Sequence, residues 1–214
     1  MTEPTDPWHT PAFLRDVQYR TDANLAARQS IYAYQHPRLD LQARVTDLAA
    51  PAPGETVADV GCGNGAYLAE LARRGFAGRV LGLDMSLGML AAARGRLASV
   101  APPARSGAAG PPGAAAPPET VGPPGEATGQ LGGVTLIGAD ATALPLPDAV
   151  ADLTFAMHML YHLPDPSQGL RELRRVTRPG GRVVIGLNAP DHLRELREIV
   201  GAARGDGRWG RFER

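Results

Sequence analysis

The chain contains no lysine: all 22 of its basic residues are arginine, and they balance 22 acidic residues to a formal net charge of zero. That absence removes a lysine Schiff base and a P-loop lysine from the available chemistry. The neutral balance gives the chain as a whole no electrostatic attraction to nucleic acid or anionic lipid, so neither partner is expected. A single cysteine, Cys62, allows no internal disulfide, and no residue spacing suits a zinc site, so no metal is expected and a reducing cytoplasm fits. No apolar run is long enough to span a bilayer, and the opening MTEPTDPWHT lacks a basic-then-apolar segment, so neither membrane association nor export is expected. At 214 residues the chain suits one domain with a sizeable core, whose default partner is a small, neutral molecule.

Proline, glycine and alanine are concentrated instead of scarce in one place. Residues 100–133 hold eight of each in thirty-four positions. Such a tract cannot bury enough apolar surface to offset its ordering entropy, and it reads as a disordered insertion in a surface loop. Around it, short apolar runs alternate with helical patterns, the signature of parallel strands joined by crossover helices. The expected fold is a doubly wound α/β sheet. Its strands fall at 56–60, 79–83, 134–137, 151–156 and 182–187. Helices between them place Leu68, Leu71 and Ala72, then Met89, Leu90, Ala93 and Leu97 behind an N-cap near Ser86, then Leu170, Leu173 and Val176 on inward faces. The last of these helices is expected to stop at Arg178-Pro-Gly-Gly181, and Asp191 to cap a further one. Residues 12–48 give one or two helices with Leu25, Tyr32, Leu41 and Val45 inward. The domain organisation expected is therefore a helical N-terminal part at 1–48, a sheet domain at 49–99 and 134–205, the insertion between them, and a tail at 206–214.

The segment VADVGCGNGAYLAEL, residues 57–71, places Gly61, Gly63 and Gly65 between the first strand and its helix. Glycines there let the backbone turn sharply and approach a ligand where a Cβ would collide, and the ligand belongs at the carboxyl ends of the strands. GCGNGA also satisfies the dinucleotide pattern, so the glycines leave a nicotinamide enzyme and other nucleotide-cofactor users both open. Asp84 ends the second strand, where a carboxylate can accept from ribose hydroxyls with either cofactor. Asp59 lies inside the first strand at its ligand end, a position usually apolar in dinucleotide folds. An acid there suits a ligand with a positive group. Asp140, just past the third strand, could accept from an exocyclic amine such as that of adenine. Three acids around one crevice disfavour a pyrophosphate and favour a ligand bearing an ammonium and a sulfonium.

With DVGCGNG at 59–65, GLDMS at 82–86, GADATALPLPD at 138–148 and LPDPSQGLRELRRVTRPGGRVVI at 163–185, the chain resembles the class I S-adenosylmethionine-dependent methyltransferases, in their small-molecule branch, over roughly residues 40–190. The resemblance implies a Rossmann-like methyltransferase fold and S-adenosylmethionine as cofactor. It assigns the Gly61–Gly65 turn to the methionine part, Asp84 to the ribose, Met85 to packing against adenine, Asp140 with the Ala141 amide to the adenine edge, and Asp59 to the amino group. Residues 19–36 resemble the helical lid of the family, with Tyr19 in it and Arg28 as a partner for the methionine carboxylate.

The sulfonium already activates its methyl group, so the protein's task is to hold a small-molecule acceptor in line and exclude water. For a hydroxyl acceptor a base is useful. AMHMLYHLPD, residues 156–165, supplies His158, Tyr161 and His162 near the expected substrate mouth, with the two histidines four apart and so on one face of a helical turn. Cys62 reads as a small packed side chain and the arginines after residue 193 as a solvated face. The family continues past its fifth strand with two more, whereas no strand-like run follows Val200 here. The expectation is a sheet lacking its last two strands, with the fifth as an exposed edge. A nicotinamide-dependent oxidoreductase and a non-catalytic cofactor-binding protein are the competing readings.

Overall fold

The computed structural model describes residues 10–100, 129–131 and 133–189, with isolated positions at 194, 198, 199 and 202. Of the helix expected after Asp191, only positions 194, 198, 199 and 202 are described, and these are helical; its expected inward residues Leu193, Leu196 and Val200, the tail, and residues 101–128 and 132 of the tract lie outside the described residues.

Two short helical segments open the chain: α1 (Pro11–Phe13) runs into a π-helical turn at Leu14–Gln18, and α2 (Ala23–Gln29) into a 3-10 turn at Ser30–Tyr34. Next come α3 (Leu41–Ala49), β1 (Thr56–Val60), α4 (Ala66–Arg73), β2 (Arg79–Asp84) and α5 (Leu87–Val100). The order closes with β3 (Gly129–Leu131), β4 (Val134–Gly138), β5 (Ala151–Met157), α6 (Pro166–Val176) and β6 (Thr177–Gly186). The sheet order is β3-β4-β2-β1-β5-β6, with every pairing parallel except β3 against β4. The chain steps from β1 outward through β2 to β4, then returns to the other side of β1 as β5. This reversal puts the ligand crevice of a doubly wound sheet over the carboxyl ends of β1 and β5.

Both faces of the sheet are buried, as parallel strands require. Val57, Val80, Leu136 and Phe155 pack with Leu68, Leu71, Leu90, Ala93 and Leu97 on one face. Ala58, Val60, Leu81, Leu83 and Ile137 pack with Leu144, Leu146, Leu173 and Val176 on the other. The inward residues expected on α4 and α5 are therefore where the 3.6-residue period put them, although Ala72 is only partly buried. Ser86 caps α5, its Oγ accepting from the Met89 amide at 3.2 Å.

The structure corrects four expectations. Leu170 is 44% exposed, because the inward face of α6 runs through Gly169, Leu173 and Val176. Gly169 fits there since a Cβ would stand 2.4 Å from the Leu163 side chain. Arg178–Gly181 does not end the helix: α6 stops at Val176, and this block is an irregular stretch inside β6, where register jumps from Ala151 opposite Thr177 to Leu153 opposite Arg182. Near the N-terminus, Tyr32 and Leu41 are exposed, and the buried positions are Leu14, Gln18, Thr46 and Ala49. Finally, residues 129–131 of the tract read as disordered form β3, paired antiparallel to β4.

The expected boundary at residue 48 falls inside α3. This helix belongs with the sheet layer: Arg74, which caps α4, donates to Asp47 at 2.6 Å and to the Ala43 carbonyl at 2.9 Å. Among the described residues β6 is a sheet edge with Val183 and Ile185 exposed, and no helix is long and apolar enough to cross a membrane.

Candidate active site at the carboxyl ends of β1, β2 and β5

The turn after β1 is left-handed at all three glycines, with φ of 71° at Gly61, 55° at Gly63 and 72° at Gly65. A side chain would be strained at each. Two of the three are also crowded by protein: a Cβ at Gly61 would lie 2.8 Å from the Met159 Cβ, and one at Gly65 would lie 2.8 Å from the Ala93 Cβ. At Gly63 a Cβ would clash with nothing, making ordinary van der Waals contact with Leu25 and Met89 side-chain atoms 3.7 and 3.9 Å away. Gly61 and Gly65 are fixed by conformation and packing.

Asp84 holds this turn. Its two oxygens accept from the Gly63 amide at 2.9 Å and the Ser86 amide at 2.8 Å. Burial pushes the Asp84 carboxyl above its usual range, and the two amides act against that shift. Met85 follows, half-buried, at the mouth of the same crevice.

Asp59 is 1% exposed, and among the described residues neither of its oxygens has a hydrogen-bond partner. Burial, with the Asp84 charge second, pushes its carboxyl up to about 7. A buried carboxylate without a donor is costly, so the position calls for a group that supplies one. Tyr67, two residues past the glycine turn, stacks on Phe155 at 5.7 Å with its own hydroxyl buried and unpartnered among the described residues. Burial and then the Asp59 charge raise that phenol's pKa. The sequence reading missed Tyr67, although its place in the first turn of α4 points it at the sheet.

Asp140 lies apart from this pair. It is exposed, and its Oδ1 accepts from the Thr142 amide at 2.8 Å and the Thr142 hydroxyl at 2.7 Å, with Ala141 half-buried between them. Asp140 therefore shapes the turn after β4, where Arg175 and Glu172 of α6 tether Leu144 and Leu146. Cys62 is buried, and that burial holds its thiol well above its usual range. Among the described residues no group of three potential ligands could hold a metal ion.

The helical turn expected to carry His158 and His162 on one face does not form. His158 has φ 57°, and a 3-10 turn at Leu160–His162 follows it, so the two residues do not share a helical face. The His158 amide is tied to the Gly186 carbonyl at 2.8 Å. His162 instead meets the N-terminal segment: its Nε2 lies 2.9 Å from the Tyr19 hydroxyl, to which Arg28 Nη2 donates at 2.8 Å. Ser86 anchors that segment by donating from Oγ to the Tyr19 carbonyl at 2.6 Å. Gly88 permits the contact, since a Cβ there would stand 1.8 Å from the Arg20 carbonyl oxygen. Replacing Gly88 with alanine should therefore displace residues 19–28 while sparing the sheet. The expected result is faster proteolytic cleavage before residue 40, with a change in Tm of only a few degrees; unchanged cleavage would count against the contact.

Comparison with known proteins agrees with this geometry. Two family profiles, each described as "Methyltransferase domain", match residues 57–107 and 119–185. Over these two stretches the chain carries a methyltransferase domain. It is 31% identical over 157 residues to malonyl-[acyl-carrier protein] O-methyltransferase of Serratia marcescens, covering 73% of this chain and 48% of that protein. It is 31% identical over 135 residues to demethylmenaquinone methyltransferase of Corynebacterium kroppenstedtii, covering 63% and 42%. The chain thus spans less than half the length of these two curated relatives. Among solved structures, phosphoethanolamine N-methyltransferase 2 of Haemonchus contortus, in complex with phosphomonomethylethanolamine and S-adenosylhomocysteine, superposes with a TM-score of 0.57 at 21% identity. That match covers 94% of this chain and 41% of the neighbour, a likeness of fold.

Proposed function

We propose that this methyltransferase domain takes S-adenosylmethionine as its methyl donor and delivers the methyl group to a small-molecule acceptor. The observation that carries the reading is Asp59. A carboxylate this deeply buried without a donor fits a ligand ammonium, and the methionine end of the cofactor has one beside a sulfonium. A dinucleotide would bring a pyrophosphate to the same turn, against Asp59 and Asp84 together. The named relatives, a malonyl carrier-protein and a demethylmenaquinone methyltransferase, support methyl transfer as the reaction class.

In this reading Asp59 pairs with the ammonium and Gly63 lets the backbone approach the methionine part. Asp84, while holding the turn, presents its remaining lone pairs to the ribose. Met85 packs against adenine, and Asp140 with the Ala141 amide lies at the adenine edge. The bound cofactor supplies a methyl group activated by positive sulfur. The protein supplies orientation, exclusion of water and, for an acceptor with an exchangeable proton, a base, for which His162 is better placed than His158. Tyr19 and Arg28 join His162 and so belong to the acceptor side of the crevice.

Calorimetric titration of the purified chain with S-adenosylhomocysteine and, separately, NAD tests this reading. Saturable binding of the homocysteine compound with no heat from NAD is expected. NAD binding in its place would establish an oxidoreductase-type site instead.

A further inference from the structure

Tyr19 crosses the mouth of the crevice. Its carbonyl is bonded to Ser86, just past β2, and its hydroxyl reaches His162, in the segment after β5. β2 and β5 flank β1 in the sheet, so the side chain passes over the carboxyl end of β1, where Asp59 and the glycine turn lie. On its other side the hydroxyl oxygen receives a bond from Arg28, whose guanidinium carbon is 5.4 Å from the Tyr19 ring centroid. The rings of Tyr161 and Tyr19 stand edge-on to His162 at centroid distances of 4.5 and 5.5 Å. Tyr161 also lies within electrostatic reach of Arg28 and Tyr32. The mouth is therefore walled by aromatic rings, with a phenol oxygen and an imidazole among them and a fixed positive charge behind.

We propose that Tyr19 and His162 form a proton relay for an aromatic hydroxyl acceptor, with Arg28 as the positioning residue. This rests on the methyl-transfer reading above. Arg28 donates to the Tyr19 oxygen, and in the neutral tautomer whose Nε2 carries no proton His162 accepts from the Tyr19 hydroxyl. The acceptor's O–H bond breaks as its proton moves to the Tyr19 oxygen, and the Tyr19 proton moves to His162. The acceptor oxygen forms its new bond to the methyl carbon, the electron pair of the broken carbon–sulfur bond stays on sulfur, and the imidazolium later returns its proton to solvent. Aromatic walls favour a flat ring, and Arg28 favours an oxygen gaining negative charge over a cationic amine.

The test is spectroscopic. The chain is saturated with S-adenosylhomocysteine and titrated with 4-nitrophenol, whose phenolate absorbs in the visible, at a pH about one unit below the probe's solution pKa. A phenolate band on binding is expected. Tyr19→Phe and His162→Asn should each remove most of that band while changing affinity for S-adenosylhomocysteine less than about threefold, as measured by calorimetry. Arg28→Lys, which keeps the charge but loses the planar fork, should leave a weakened band. No probe binding at millimolar concentration, or an undiminished band in Tyr19→Phe, overturns the relay. Absence of heat from S-adenosylhomocysteine in the unaltered chain would instead overturn the cofactor reading, and the relay with it.

Discussion

Replacing Asp59 with asparagine is expected to stabilise the ligand-free protein at pH 8 and, in the same variant, to weaken its binding of S-adenosylhomocysteine. The Asp59 carboxyl is raised to about 7 from an ordinary value of 3.8, first by burial and then by Asp84. A group whose folded pKa is raised stabilises the fold fully below its unfolded value and loses that contribution as pH rises through its folded value. The stability of the empty protein therefore falls between about pH 4 and pH 7, as the unfolded carboxyl ionises while the folded one stays protonated, by on the order of 4 kcal/mol in total. Asparagine has nearly the same shape and no charge to bury. Thermal unfolding should show the variant clearly more stable than the parent at pH 8 and the two alike near pH 4. Equal stabilities at pH 8 would mean that the buried charge is already compensated.

Binding should move the other way. A charge-assisted hydrogen bond contributes roughly 1.5–3 kcal/mol, so affinity for S-adenosylhomocysteine should fall on the order of 10- to 100-fold in Asp59→Asn. In the parent, affinity should decline as pH falls below about 7 and Asp59 takes up a proton. That pH dependence should vanish in the variant. Better stability with poorer binding separates a carboxylate kept for a ligand from one kept for the fold.

The second large effect is at Asp84. Alanine there removes the acceptors of both the Gly63 and Ser86 amides, and these bonds hold the glycine turn against the start of α5. Bonds to a charged acceptor contribute roughly 1.5–3 kcal/mol each to holding the turn; with the turn untethered and the proposed ribose acceptor gone, affinity for S-adenosylhomocysteine should fall on the order of 100-fold. Asp84→Asn keeps one carbonyl oxygen and should fall between. If Asp84→Ala bound as tightly as the parent, the turn would be held by something other than these two bonds, and the ribose role would fall with it.

The sheet and the turn were legible because they depend on local patterns. A run such as 57–60 flanked by glycines reads as a buried strand and a turn, and the period of α5 placed Met89, Leu90, Ala93 and Leu97 correctly. Asp59 was legible as an anomaly, an acid where an apolar residue is usual. What the sequence did not reveal are contacts between distant segments. Nothing local discloses that Met159 and Ala93 pack beside Gly61 and Gly65. Leu170 read as inward because periodicity favours a leucine over a glycine, although Gly169 faces the core and lets α6 approach Leu163. The two histidines read as a helical pair, but the backbone turns left-handed at His158. His162 meets Tyr19, 143 residues away, a contact no local pattern discloses.

The most direct measurement is a crystal structure of the chain with S-adenosylhomocysteine bound. The expected result places the ligand ammonium within about 3 Å of an Asp59 oxygen, with the methionine part against Gly63. A ligand bound elsewhere, or one whose ammonium meets another group while Asp59 stays unpartnered, would contradict the role given to this buried acid.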